Sequence, residues 1–284
     1  MTDITLENKG TKLALSVHGA ENAEPVLFLH GISLSRDTWE EVALKLMSHY
    51  QVWTLDFRGH GHSDRASSYA LADYKSDADT VLQAISRPTV VVGHSLGACV
   101  AGTLAQARDP NIRAVLLEDP PWYLGEMGLW GQSVYPNIFS ILRSQQAKLQ
   151  QEGAPLAQYR EFVSNAPSPM GGIASDHFSP RQLLSFATSL QRQDNRCWAN
   201  LVDSGELLAA IATDREFQCP TKIIQADPRR GAALLEGHEI RLAMANPEAE
   251  IVRYDGCGHR CHAQRTFDER FLTDLEKFLK KVAR

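Results

Sequence analysis

Residues 89–102 read TVVVGHSLGACVAG: four β-branched residues, then Gly-His-Ser-Leu-Gly, then small residues that a helix tolerates. A strand pattern turns into a helix pattern within five positions, with a serine at the joint. Only a very tight turn connects the two so abruptly, and its apex residue takes a strained backbone conformation that bulky neighbours would obstruct. Gly93 and Gly97 leave the room it needs. The Ser95 hydroxyl is then lifted above the sheet edge. The next amide, that of Leu96, points from a helix N-terminus, where the dipole favours developing negative charge.

Working outward, strand-like runs recur: KLALSVHG (12–19), PVLFLHG (25–31), YQVWTLDFRG (50–59), IRAVLLEDP (112–120), PTKIIQAD (220–227) and AEIVRYDG (249–256). Several are continuously apolar, as strands covered on both faces of a parallel sheet are. Helical periodicity fills the gaps, in DTWEEVALKLMSHY (37–50), YKSDADTVLQAIS (74–86) and RTFDERFLTDLEKFLKKVAR (265–284). Alternation of this kind predicts an α/β layered fold. It breaks between about Pro120 and Phe217, where helical patterns and aromatics such as Trp122, Trp130, Tyr135 and Phe139 replace the strands. The expected organisation is a core of residues 1–119 and 217–284, with a helical cap of residues 120–216 over the carboxyl ends of the strands. Ligands bind at that edge in open α/β sheets. Trp122 and Trp130 are candidate substrate-binding residues on this reading.

Composition narrows the function classes. The chain has 284 residues, 43% hydrophobic and 22% charged, with a formal net charge of −5. No basic footprint points to nucleic acid. No stretch reaches the roughly 18 apolar residues of a membrane span, and MTDITLENKG at the N-terminus lacks the apolar run of a signal peptide. The expected location is the cytoplasm. Five cysteines (Cys99, Cys197, Cys219, Cys257, Cys261) without framework spacing fit free thiols there.

Two further stretches complete the pattern. FLHGISLSRDTW (28–39) ends a strand in His-Gly and runs through a Ser-rich loop into a helix; YDGCGHRCHAQR (254–265) places His259 on a loop after the last strand. With Ser95 first and His259 much later, the chain resembles α/β-hydrolase-fold enzymes. LDFRGHGHSDR (55–65) adds to the likeness, since the family often carries Asp-x-Arg-Gly-x-Gly-x-Ser after its fourth strand. The resemblance covers roughly residues 1–120 and 217–284 and does not reach into the cap. It implies an α/β-hydrolase fold, a mostly parallel sheet flanked by helices with the cap inserted after the sixth strand. It implies Ser95 as nucleophile, His259 as base, and the amides of Ile32 and Leu96 as oxyanion donors. His30 is expected to brace its loop, His94 to pack under the turn, and His60 and His62 to be loop residues.

The acid that orients the histidine stays open between two places. Most members carry it after the next-to-last strand, but here IIQADPRRGAAL puts Asp227 two residues early and Arg229 where the acid would fall. Some relatives carry it one strand earlier, where this chain has Glu118 and Asp119. Alternation along a strand lets only one of that pair face the histidine. The expected acid is Asp119, with Glu118 and Asp227 as alternatives.

CGHRCH (257–262) suggests a metal site, but no second Cys or His pair completes four ligands. No metal and no cofactor is expected. The expected substrate is a mostly apolar small molecule, an ester or lactone. A carbon–carbon bond hydrolase of diketo acids is the alternative, which would need a cation from the cap: Arg143, Arg160, Arg192 or Arg196. A non-catalytic small-molecule receptor on the same scaffold is the other. Epoxide and haloalkane hydrolysis on this fold use an Asp nucleophile, so Ser95 argues against both. The cap's aromatics also leave a homodimer open.

Overall fold

The computed structural model describes residues 1–283. Eight strands form one sheet in the order β1-β2-β4-β3-β5-β6-β7-β8. They are β1 (Thr2–Asn8), β2 (Thr11–His18), β3 (Glu24–Leu29), β4 (Tyr50–Leu55), β5 (Thr89–His94), β6 (Ile112–Glu118), β7 (Thr221–Ala226) and β8 (Glu250–Tyr254). The first two pair antiparallel with each other, and β2 pairs antiparallel with β4. The remaining pairings are parallel. The strand Thr2–Asn8 has no counterpart among the runs read from the sequence. It alternates Ile4 and Leu6 with polar residues and folds back through Lys9 and Gly10, both at positive φ (50° and 81°), as a tight hairpin turn requires.

The helices α1 (Glu40–Leu46), α2 (Leu71–Ile85) and α3 (Leu96–Ala105) connect the first strands. Between β6 and β7 come α4 (Tyr135–Gln151), α5 (Leu156–Asn165), α6 (Ala174–His177), α7 (Pro180–Arg192), α8 (Ala199–Val202) and α9 (Glu206–Ala209). Then follow α10 (His238–Ala245) and α11 (Asp268–Val282). Strand residues alternate between two cores. Leu27, Leu29, Val91, Val115 and Leu117 join α2, α3 and the cap helices; Val26, Phe28, Val90, Val92 and Leu116 join α1 and α11. Burial on both faces explains why these strands read as unbroken apolar runs.

The chain's own chemistry shapes the helices. The last one buries Phe271, Leu275, Phe278 and Leu279 at helical spacing, with acids in its first turn and lysines in its last, matching the dipole. By contrast, α3 is buried almost all round, and its small residues allow close approach: a Cβ on Gly102 would lie 2.4 Å from the Trp122 ring. No helix of the described residues is long and apolar enough to cross a membrane. The strand order reverses between β3 and β5, so the loops leaving their carboxyl ends diverge and open a crevice.

Candidate active site

Ser95 stands at that crevice, at φ 54° and ψ −114°, a conformation rare for a residue with a side chain. Its amide donates to the Glu118 carbonyl at 3.0 Å and Gly97 donates to the His30 carbonyl at 3.1 Å, so the turn is pinned to both neighbouring strands. The two glycines are sterically demanded. A Cβ on Gly93 would lie 2.2 Å from the Gly97 carbonyl oxygen, and one on Gly97 would lie 2.2 Å from that of Leu29.

The loop after β3 is held as firmly. The Gly31 carbonyl accepts from Leu34 N–H at 3.0 Å and from His30 Nδ1 at 2.8 Å. Phe57 N–H donates to His30 Nε2 at 3.1 Å, which assigns the proton to Nδ1. In a trans peptide the N–H points opposite the carbonyl, so these bonds also aim the Ile32 amide. On its far side, the Ile32 carbonyl takes a hydrogen bond from Gln193 Nε2 (2.8 Å) and lies 2.7 Å from His60 Nε2. Neither the Ile32 nor the Leu96 N–H donates to any described residue. His60 is thus a buried brace, more than a loop residue.

Three carboxylates were candidates for the partner of His259, and each has a different role. Asp119 Oδ2 meets His259 Nδ1 at 2.6 Å. The backbone amides of Ala226, Ala233 and Leu234 also donate to Asp119, at 3.2, 2.7 and 3.3 Å. Glu118 instead holds His262 Nδ1 at 2.7 Å, and the far nitrogen of that ring meets Thr38 Oγ1 at 2.8 Å. Asp227 binds Arg229 through two side-chain contacts (3.0 and 2.9 Å) and accepts from Gly256 N–H at 2.8 Å. The guanidinium of Arg229 holds the Asp227 carboxyl well below the usual carboxylate range. Of the Glu118/Asp119 pair, only Asp119 meets His259; Glu118 meets the other loop histidine, because Asp119 lies past the strand end at φ 44° and its side chain turns toward a different loop residue.

Ser95 and His259 line one hollow of about 170 Å³, together with Gly31, Ile32, Tyr135 and Phe139. The Ser95 hydroxyl hydrogen-bonds to no described residue, and the Asp119 contact leaves His259 Nε2 free to meet it. Free sites of this type often tighten only around substrate. His94 is buried beneath, its Nε2 3.2 Å from the His259 carbonyl; burial and the nearby His259 hold its pKa well below the ordinary histidine value. A much smaller hollow of about 20 Å³ shares Ile32 and Ser95 with the first and is walled by Leu96, Leu124, Trp130, Leu201 and Leu208. Ser95 sits where the two meet.

The expectation for Trp122 needs correction. Its ring is buried against Gly102 and edge-to-face with Phe217 at 5.3 Å, outside the walls of both hollows; Trp130 lines the smaller one. Nor do the four cap arginines reach the site. Arg143 pairs with Asp203, Arg192 with His62 and Arg196 with Asp194, while Arg160 borders a separate surface hollow. The arginines of the large hollow are Arg230 and Arg260, from the core. Arg260 directly follows His259, but nothing in the spacing showed which way its side chain turns. Cys257 and Cys261 point their thiols at the Gly258 carbonyl (3.3 and 3.6 Å), and no group of metal-binding side chains occurs among the described residues.

Comparison with known proteins places the chain. Residues 26–270 match the model of the family described as "Alpha/beta hydrolase family". A non-heme chloroperoxidase of Streptomyces lividans is 36% identical over 117 residues, covering 39% of this chain and 42% of that protein. The 2-(acetamidomethylene)succinate hydrolase of Mesorhizobium japonicum is 30% identical over 110 residues, 38% of this chain and 40% of that protein. These alignments span about two fifths of each relative. The crystal structure of an N-formylmaleamic acid deformylase from Pseudomonas putida superposes with a TM-score of 0.74 at 18% identity, covering 97% of this chain and all of that one.

Proposed function

This chain belongs to the alpha/beta hydrolase family, and from that premise we propose that it is a serine hydrolase of carboxylic esters or lactones. The observation that carries the reading is that Ser95, on its strained turn, and His259, held by Asp119, line the same hollow. With Nδ1 engaged by Asp119, the imidazole presents Nε2 as the base that takes the Ser95 proton. The serine oxygen attacks the carbonyl carbon, and the tetrahedral oxyanion lies against the unpartnered amides of Ile32 and Leu96. His259 protonates the leaving alcohol, giving an acyl-enzyme. Water, activated by the same ring, then releases the acid. The small hollow beside Ser95, walled by Leu124, Leu201 and Leu208, favours an apolar group next to the reacting carbonyl.

The test is hydrolysis of a panel of aryl esters by the protein and by Ser95→Ala. The variant should lose activity by on the order of 10⁶-fold, and a serine-directed phosphonate should add its mass to Ser95 only. Undiminished turnover by folded Ser95→Ala overturns the assignment.

A further inference from the structure

The large hollow beside Ser95 is walled mostly by apolar groups, yet a guanidinium without a partner stands in it. Arg260 lines the hollow with its Cζ 3.9 Å from the Phe178 ring centroid and 4.7 Å from that of Phe186. Its Nη1 is shut off from solvent and has no hydrogen-bond partner. Among the described residues, the side chain forms no ion pair. The carboxylate that acts on it, Glu118, is already committed to His262. His94, close by, offers no countercharge, and the Arg260 charge itself disfavours protonation of that ring. Burial lowers the Arg260 pKa to about 10, which leaves it a cation at neutral pH.

The side chain is half-buried, and in the folded protein alone its sealed Nη1 is left unsatisfied. A guanidinium carries five donors in a planar fork, and aromatic faces satisfy its charge but not those donors. The arginines nearest in kind are provided for: Arg230, at the rim of the same hollow, donates to the Met170 carbonyl at 2.8 Å. What fits an unpartnered fork in an apolar wall is a planar anion with two acceptor oxygens.

We propose that Arg260 is a specificity-determining residue that binds a carboxylate on the substrate, so that the preferred substrate carries a free carboxylate on the half occupying the large hollow, apart from the bond cleaved. This rests on the reading of Ser95 as nucleophile. The phenyl rings of Phe178 and Phe186 pack against the guanidinium, and the apolar wall strengthens the pairing by excluding water.

The experiment compares aryl monoesters of succinic, glutaric and adipic acid, each with a free carboxylate, against neutral aryl alkanoates of matching length. The protein should prefer the acidic ester of at least one length by roughly 10- to 100-fold in kcat/KM, chiefly through KM. Arg260→Gln should collapse that ratio toward one, and Arg260→Lys should restore part of it. Preference for the neutral ester at every length overturns the proposal. So does an Arg260→Gln variant that slows both esters equally, since that is the signature of a packing role. The wild-type ratio decides even if the variant does not fold. Should no ester be turned over, the hydrolase reading fails separately. Calorimetry on Ser95→Ala then tests the anchor directly: glutarate binding with no binding of glutaramide supports it, and no glutarate binding overturns it.

Discussion

The contact between His259 and Asp119 makes a prediction that separates Asp119 from Asp227. Asp119→Asn keeps the shape and suits the positive φ, which Asn tolerates. It also presents an amide that can donate to Nδ1, turning the ring's proton to the wrong nitrogen. Turnover of a good aryl ester should fall roughly 10³- to 10⁴-fold, while urea denaturation shows a folded protein. Asp227→Asn should leave turnover near wild type and lower stability by about 1–3 kcal/mol, since it weakens the bonds to Arg229 and Gly256. Equal activity of the two variants would remove Asp119 from the mechanism. Glu118 and Asp119 were visible in the sequence as a pair, but their division of labour was not. It depends on the backbone reversal at Asp119 and on which loop histidine each carboxylate meets, and both are set by tertiary packing. Arg260 escaped notice for the same reason: adjacency to His259 says nothing of where a long side chain points.

At the scale of the element, the turn after β5 is a steric device, and its glycines can be tested against glycines that do nothing similar. Gly97→Ala would drive a methyl to 2.2 Å from the Leu29 carbonyl oxygen, so β3 and α3 must separate. The expected cost is about 1–3 kcal/mol or more, with a fall in kcat because the Leu96 amide moves with the helix. Gly131→Ala meets nothing within 4 Å and should change stability by no more than about 0.5 kcal/mol. Urea midpoints of the two variants, measured together, check the contrast; equal midpoints would refute it. This element was legible because its sterics are local, contained in five residues and their flanks. Sheet membership of Thr2–Asn8 was harder to read, because only Ile4 and Leu6 are apolar and half the strand faces solvent. Its order comes from pairing with β2, along the register Thr2↔Val17 to Asn8↔Thr11.

Across the whole molecule, the same burial that organises the site gives stability a definite dependence on pH. His30, His60 and His94 are buried, and burial lowers the pKa of each. His18, His62 and His238, less deeply placed, shift the same way. Such a histidine takes up its proton only on unfolding, so its stabilising effect is complete above about pH 6.5 and is lost as the pH falls. Asp56 works in the opposite sense: desolvation raises it from 3.8 to about 6, against the pull of Arg36, so the folded state binds its proton first. Its effect favours the folded chain at low pH and is lost as the pH rises through 6. As the pH falls below about 6.5 the buried histidines and Asp56 pull in opposite directions, and the histidines, being more numerous, should make the net effect a loss of stability. Urea titrations at pH 7, 6, 5.5 and 5 should show that slope. Asp56→Asn, by removing the opposing proton, should steepen it by up to about 1 kcal/mol per unit, and His94→Gln should make it shallower. A flat profile, or an Asp56→Asn slope shallower than wild type, would mean that the buried groups beneath the Ser95 turn are not held in these protonation states.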